Sequence, residues 1–378
     1  MSDRIVRHRL RIFARILIVL GVIAGVIAIF WVQQQRRTYH EYEVAATAKR
    51  DTSTNATSVL LGEDVLSYSN DGANCTNVKG ESIWNETFEM QKPILAVCGT
   101  TAAIGDYDGG QIYVVNTEGS LGTINTNLPI RALAVSGDGV VAAVLDDKNV
   151  TWIYLYSAAG DTLAYFKTTM SQSGYPISVS ISPNSTLVAV SYFQSDGGKV
   201  KSGIAFYNFG DVGQNAVDNY MSGYDYEDSV VPYVQFMNAD EAFAVADNRL
   251  MFYQGSQKPV SKAETLLDTQ VQSVYYNSQY VALITYDTTG TNKYMLNVYD
   301  TSGAIKLQKG FDLDYKNLVI SGNYIYLYGD TQCVVYNLYG TQKFAGTMNQ
   351  DISLLIPGQS INKMTIVSNN AISQITLK

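Results

Sequence analysis

Histidine is almost missing from this chain: His8 and His40 are the only two in 378 residues, and both precede its main body. Ser-His-Asp and Cys-His catalysis are therefore excluded from residues 59–378, as are the usual His-ligated zinc and copper sites. Cysteine is scarce as well. Cys75, Cys98 and Cys333 are odd in number and show no CxxC spacing, so they read as small apolar residues buried on strands, with a Cys75 to Cys98 bridge as the alternative. Charged residues make up only 16 %, which excludes a disordered chain and a charge-laced helical bundle. Positive charge is rarest after residue 50, where 17 bases face 31 acids, against nine bases and three acids before it. An acidic body without a basic stripe repels phosphate backbones and argues against a nucleic-acid partner.

What is abundant is β-sheet vocabulary punctuated by turn residues: 28 Tyr, 30 Gly and many Val, Thr, Ser and Asn. The length exceeds one ordinary compact domain and points to one large domain or a repeat array.

The amino-terminal region carries the one long apolar run. Residues 1–15 are a short basic tail with Arg4, Arg7, Arg9, Arg11 and Arg15, and the seventeen residues from Ile16 to Val32 contain no charge or strongly polar side chain. The run reads as a transmembrane helix anchored by Trp31, with the basic cluster cytoplasmic and the remainder extracytoplasmic at the cell membrane. A cleaved signal peptide is the competing reading, but the run is longer than a typical h-region and no small-x-small site follows it. Gly21 and Gly25 form a GxxxG pair that could let two helices approach in a weak homodimer, although small residues are common in membrane helices anyway. Residues 33–58 read as a stalk ending in the polar stretch Asp51 to Ser58.

From residue 59 a unit recurs: an aromatic or β-branched strand, one or two polar residues, Gly, then another strand. Tyr113-Val114-Val115-Asn116-Thr117-Glu118-Gly119 and Val335-Tyr336-Asn337-Leu338-Tyr339-Gly340 are two copies. The glycines fall at 80, 119, 160, 210, 255, 303 and 340, at intervals of 37 to 50 residues, which is propeller-blade length. A second recurring pair of apolar strands, such as Ala132 to Val135 with Val140 to Val144, brings the count to four strands per repeat. The expected fold is all-β: a β-propeller of four-stranded blades over 59–378, eight blades, or seven if the terminal segments merge. The carboxyl-terminal piece supplies only three strands, and Thr57 to Leu61 is the expected segment to complete that blade and close the ring. A β-sandwich or β-solenoid is the alternative.

The opening stretch Asp64-Val65-Leu66-Ser67-Tyr68-Ser69-Asn70-Asp71-Gly72, leading to Ser82-Ile83-Trp84-Asn85-Glu86-Thr87-Phe88-Glu89-Met90, follows the basic tail and single apolar run. In this arrangement, with its repeats, the chain resembles a family of membrane-anchored β-propeller proteins of Gram-positive Firmicutes that carries a domain-of-unknown-function label. The resemblance implies an exported propeller and transfers no catalytic residue. The repeats are loosely patterned and quinoprotein-like, without a Trp-Asp signature.

No cofactor is implied, since only Trp84 and Trp152 within the repeats are placed to stack on one. Carboxylates offer the remaining route to catalysis: Asp106 and Asp108, Asp146 and Asp147, and the group Asp225, Glu227 and Asp228. Turn positions favour Asp for backbone hydrogen bonding, which explains each without chemistry. Asp106-Tyr107-Asp108-Gly109-Gly110 lacks the ligand spacing of a calcium loop. The longest inter-strand stretch, 211–232, reads as a surface loop, and its Tyr220, Tyr224, Asp225, Tyr226, Glu227 and Asp228 are the expected partner-binding residues. The reading is a non-enzymatic, single-pass propeller that binds a protein or envelope polymer. The alternatives are a glycan hydrolase or lyase with a carboxylate pair on one face, and a quinone- or metal-dependent oxidoreductase.

Overall fold

The computed structural model describes residues 13, 15–16, 18–26, 33, 36–50, 55–148, 150–169, 173–196 and 198–378. Eight antiparallel sheets of four strands each make an eight-bladed propeller. Blade 1 runs over 57–87, blade 2 over 93–125, blade 3 over 130–168, blade 4 over 175–227, blade 5 over 233–266, blade 6 over 271–311 and blade 7 over 317–347. Blade 8 takes Leu354–Pro357, Lys363–Val367 and Ala371–Leu377 from the carboxyl terminus and Tyr42–Lys49 from the amino-terminal side.

The core lies between blades. Among the described residues the buried apolar side chains gather into eight clusters, one in each seam between neighbouring blades. The second strand of each blade is sandwiched on both faces, so it reads as a continuous apolar run: Val141 to Leu145, Val281 to Ile284 and Tyr324–Tyr328 are almost wholly buried. First strands such as Pro93–Cys98 and Ile130–Val135 line the central cavity and are less completely buried, with Arg131, Ala132 and Leu133 only partly covered.

The recurring glycine motif has a mechanical cause. It sits at the turn between third and fourth strands, where Gly160 and Gly303 adopt φ of +97° and +78°, a region costly for any residue with a Cβ. An Asx side chain at the end of the third strand accepts the turn amides, as Asn116 Oδ1 does from Glu118 N (2.8 Å) and Gly119 N (2.9 Å). In blades 1 to 7 the register then shifts by one residue at the same place, for example at Val114/Val115 and Val335/Tyr336. The bulge adds the twist that turns the outer strand away from the inner ones.

Two expectations are corrected. Ring closure comes from Tyr42–Lys49 paired with Ala371–Leu377, not from Thr57–Leu61, which is the first strand of blade 1. Consequently the stalk reading of 33–58 gives way at Tyr42–Lys49 and Thr57–Leu61, both of which are blade strands. Tyr42–Lys49 is exposed over most of its length, and Glu43, Ala45, Ala46, Ala48 and Lys49 dilute the β signal of Tyr42, Val44 and Thr47, so the pairing need of the last blade is what reveals it. Arg50, buried at its far end, reaches Ser58 (3.1 Å), Ser67 and the Ser368 carbonyl (3.3 Å).

Among the described residues no helix is long and apolar enough to cross a membrane. The run read over 16–32 lies partly outside the described residues; its residues 18–26 are helical, with their apolar side chains exposed.

Candidate binding groove on blade 4

Blade 4 departs from its neighbours. Its second and third strands, Leu187–Asp196 and Lys199–Asn208, are ten residues long, and two 3-10 turns, Gly213–Asn215 and Val217–Asn219, lead into the outer strand Tyr220–Glu227. The stretch expected as a loop is thus largely ordered secondary structure. The correction has a local reason: alternation of Ser222, Tyr224 and Tyr226 with Gly223 and Asp225 is a two-residue period that the acidic content obscured.

Alternation divides the six singled-out residues between two faces. Tyr224 and Tyr226 point toward blade 5. Tyr226 is buried with its hydroxyl 2.6 Å from that of Tyr253, and Tyr224 Oη accepts from Ser261 N at 2.9 Å. Burial pushes the Tyr226 phenol up. Tyr226 is a seam residue, while Tyr224 bonds across the seam and also lines the groove on blade 4. Tyr220, Asp225 and Glu227 share the opposite face, and Asp228 occupies the following turn at φ +51°, its amide donating to the Val200 carbonyl at 2.9 Å.

On that opposite face Tyr220 and Asp225 help to line a groove of about 420 Å³, with Ser173, Tyr192, Gln194, Lys201, Gly203, Tyr207 and Gly223. Cross-strand pairing of Gly203 with Asp225 and of Ala205 with Gly223 leaves a strip without large side chains, and this is what hollows the groove. A Cβ on Gly223 would collide with the Tyr220 hydroxyl, so glycine lets that ring fold back along its strand. The Tyr220 ring stands edge-on to Tyr207 at 6.0 Å. Beneath them the buried hydroxyls of Tyr192 and Tyr207 meet at 2.8 Å; burial raises both phenols, that of Tyr207 to about 12.

At the charged end Lys201 Nζ lies 3.2 Å from Asp225 and 3.2 Å from Glu227, which together hold its ammonium above the usual value. Tyr192, Gln194, Lys201 and Tyr207 escaped the sequence reading, since pairing brings them in from the two preceding strands of the blade, with Tyr207 opposite Tyr220 and Lys201 opposite Glu227. The only local signal was a pair of lysines, Lys199 and Lys201, in an acidic body.

The other carboxylates are similarly engaged. Arg131 joins Asp146 (Nε to Oδ2, 2.9 Å) and Asp108, while Thr151 Oγ1 donates to Asp146 (3.2 Å) and the guanidinium faces the Tyr107 ring at 5.5 Å. Asp106 Oδ1 instead accepts the amides of Gln91 (3.0 Å) and Lys92 (2.8 Å). In the pairs Asp108/Asp146 and Asp225/Glu227 a cation thus lies between the two carboxylates, where a glycosidic oxygen or attacking water would have to sit. Among the described residues lining the central cavity of about 410 Å³, none is a carboxylate. There Ser178 and Ser180 Oγ accept Val234 N (3.1 Å) and Phe236 N (2.9 Å), sealing blade 4 to blade 5. Trp84 is spent on the blade 1–2 seam, donating to the Asn116 carbonyl at 2.9 Å, and Trp152 packs on Tyr154 and Tyr165. The three cysteines are free thiols, which removes the Cys75 to Cys98 bridge.

An eight-bladed ring of four-stranded sheets, closed by its amino-terminal strand, defines the class of the chain as a β-propeller. The chain belongs to a family of unknown function (DUF5711), whose profile matches residues 35–377. Among solved structures it is similar to BamB from Moraxella catarrhalis, at 12 % identity and a TM-score of 0.52 over 89 % of this chain and 100 % of that one. It is also similar to apo AztD from Citrobacter koseri, at 9 % identity and a TM-score of 0.53 over 79 % and 87 %. Likeness at this level is one of fold alone. No curated protein matches the sequence.

Proposed function

We propose that this protein is a single-pass, membrane-anchored extracytoplasmic propeller that binds a protein or cell-envelope polymer through the blade 4 groove. The observation that carries the reading is the groove itself: exposed Tyr220 beside the Lys201, Asp225 and Glu227 charges, on the blade with the longest hairpin. Tyrosine supplies rigid, amphipathic contact area at low entropic cost, and the flanking charges select orientation. Anchoring is supported by the run from Ile16 to Val32, in whose helical residues 18–26 the side chains are aliphatic all round and half or more exposed, as in a lipid-facing helix. Excess Arg before the run supports a cytoplasmic amino terminus. Gly21 and Gly25 have open space at both Cβ positions and offer a close-approach face to a second copy.

The test is affinity capture of the intact anchored protein from its own membrane, compared with a Tyr220→Ser/Lys201→Glu double variant. Loss of roughly tenfold or more of a specific partner is expected, the scale of a truncated aromatic anchor. Identical capture by both proteins, with the variant's thermal midpoint unchanged, overturns the groove as the binding site.

A further inference from the structure

The path of the chain into blade 8 orients the propeller. Tyr42–Lys49 starts beside Leu377 and finishes beside Ala371, so the chain arrives at the face bearing the turns between first and second and between third and fourth strands. Its arrival is held firmly. Tyr39 is buried and donates its amide to the Lys343 carbonyl (2.7 Å), and His40 N donates to the Lys378 carbonyl (2.9 Å). The Lys343 ammonium donates to the Arg37 carbonyl (2.7 Å), and Arg37 N donates to the Gln33 carbonyl (3.1 Å), which is one helical turn. Six residues, Gln33 to Thr38, thus separate Val32, the last residue of the apolar run, from a side chain packed in the core. Even fully extended, the step from Val32 to Tyr39 covers at most about 25 Å, and the helical turn shortens it.

From this we infer that the turn-bearing face of the propeller lies against the headgroup region of the bilayer, an inference that rests on the anchored reading above. Exposed apolar side chains recur at that end: Ile83, Leu121, Leu163, Val260 and Ile305 each open an outer strand, and Tyr339 caps the blade 7 turn at 72 % exposure. Such residues suit a surface that meets the interface. The opposite face carries Arg131 with its two carboxylates and the Lys201 end of the groove, and it points away from the lipid.

The full chain, reconstituted in phosphatidylcholine nanodiscs on a Cys98→Ala background, tests this, since Cys75 and Cys333 are buried. A fluorophore is attached at Leu121→Cys or Tyr339→Cys on the turn-bearing face, and at Leu266→Cys or Tyr286→Cys as controls. Quenching by headgroup-labelled lipid should be roughly threefold or more stronger at the first two positions, which then sit within ~10 Å of the interface. Retention through an alkaline carbonate wash with equal or stronger quenching at the controls overturns the orientation alone. Release by the wash overturns the anchor and the orientation together.

Discussion

Asn337 shows how a single side chain sets a blade. It is buried, and its Oδ1 accepts the amides of Tyr339 (3.1 Å) and Thr341 (2.8 Å), holding the turn that presents Gly340 at φ +80°. Asn337→Ala leaves two turn amides without their acceptor and should cost about 1–3 kcal/mol, read as a lower urea midpoint. The same change at exposed Asn349, whose backbone amide donates to the Tyr42 hydroxyl (2.9 Å), should leave the midpoint unmoved. Thiol chemistry gives a second check at this scale. Burial pushes the Cys75 and Cys333 thiols up to about 12, so neither should react with a disulfide reagent at pH 8 until the fold opens, whereas half-buried Cys98 reacts first. Residues with a local structural duty were legible in the sequence for this reason: an Asx-Gly turn carries its own grammar. Tyr220 and Asp225 were legible by composition, but Lys201 and Tyr192 reach the groove only through strand pairing, which leaves no mark on neighbouring residues.

Among elements, the decisive one is Tyr42–Lys49. It completes a sheet whose third strand, Ala371–Leu377, would otherwise present an open edge, and buried Arg50 and Lys343 fasten its two ends. Removing residues 1–35 should therefore leave cooperative thermal unfolding intact, while removing residues 1–50 should lower the midpoint and drive association through the exposed edge. Light scattering during a thermal ramp separates the two; equal behaviour would show that the ring does not depend on this closure. Three strands at the carboxyl terminus were readable, and they announced a missing fourth. Its identity was hidden because an edge strand buries little and tolerates helix-favouring residues.

For the whole molecule, tyrosine burial fixes the pH limits. Burial pushes Tyr156, Tyr207, Tyr275, Tyr276 and Tyr328 up to about 12, whereas an unfolded tyrosine ionises near 10. The folded state keeps these phenols neutral, so their contribution is whole below about pH 10 and drains as pH rises toward 12. At the acid end Asp300 is held at about 2: burial opposes the shift, but hydrogen bonds from Lys306, Ser302 and Ala304 outweigh it. That contribution is present above about pH 4 and disappears as pH falls through 2. Stability should thus stay level from about pH 4 to 10, with phenolate absorbance rising in one step with loss of near-ultraviolet dichroism above that range. Repeat architecture was the most legible level of all, because blades 1 to 7 restate the same glycine turn between third and fourth strands, and each carries a largely buried second strand.

The proposal that this propeller works by holding a partner in the blade 4 groove meets its most direct test in the native membrane. A benzoylphenylalanine in place of Tyr220, activated by light in living cells, should yield one discrete crosslinked species. The same residue in place of Leu266, which is more exposed (71 % against 48 %) but lies outside the groove, should yield none. A shared pattern at the two positions, or no adduct at Tyr220 while the protein is folded and membrane-bound, would contradict it.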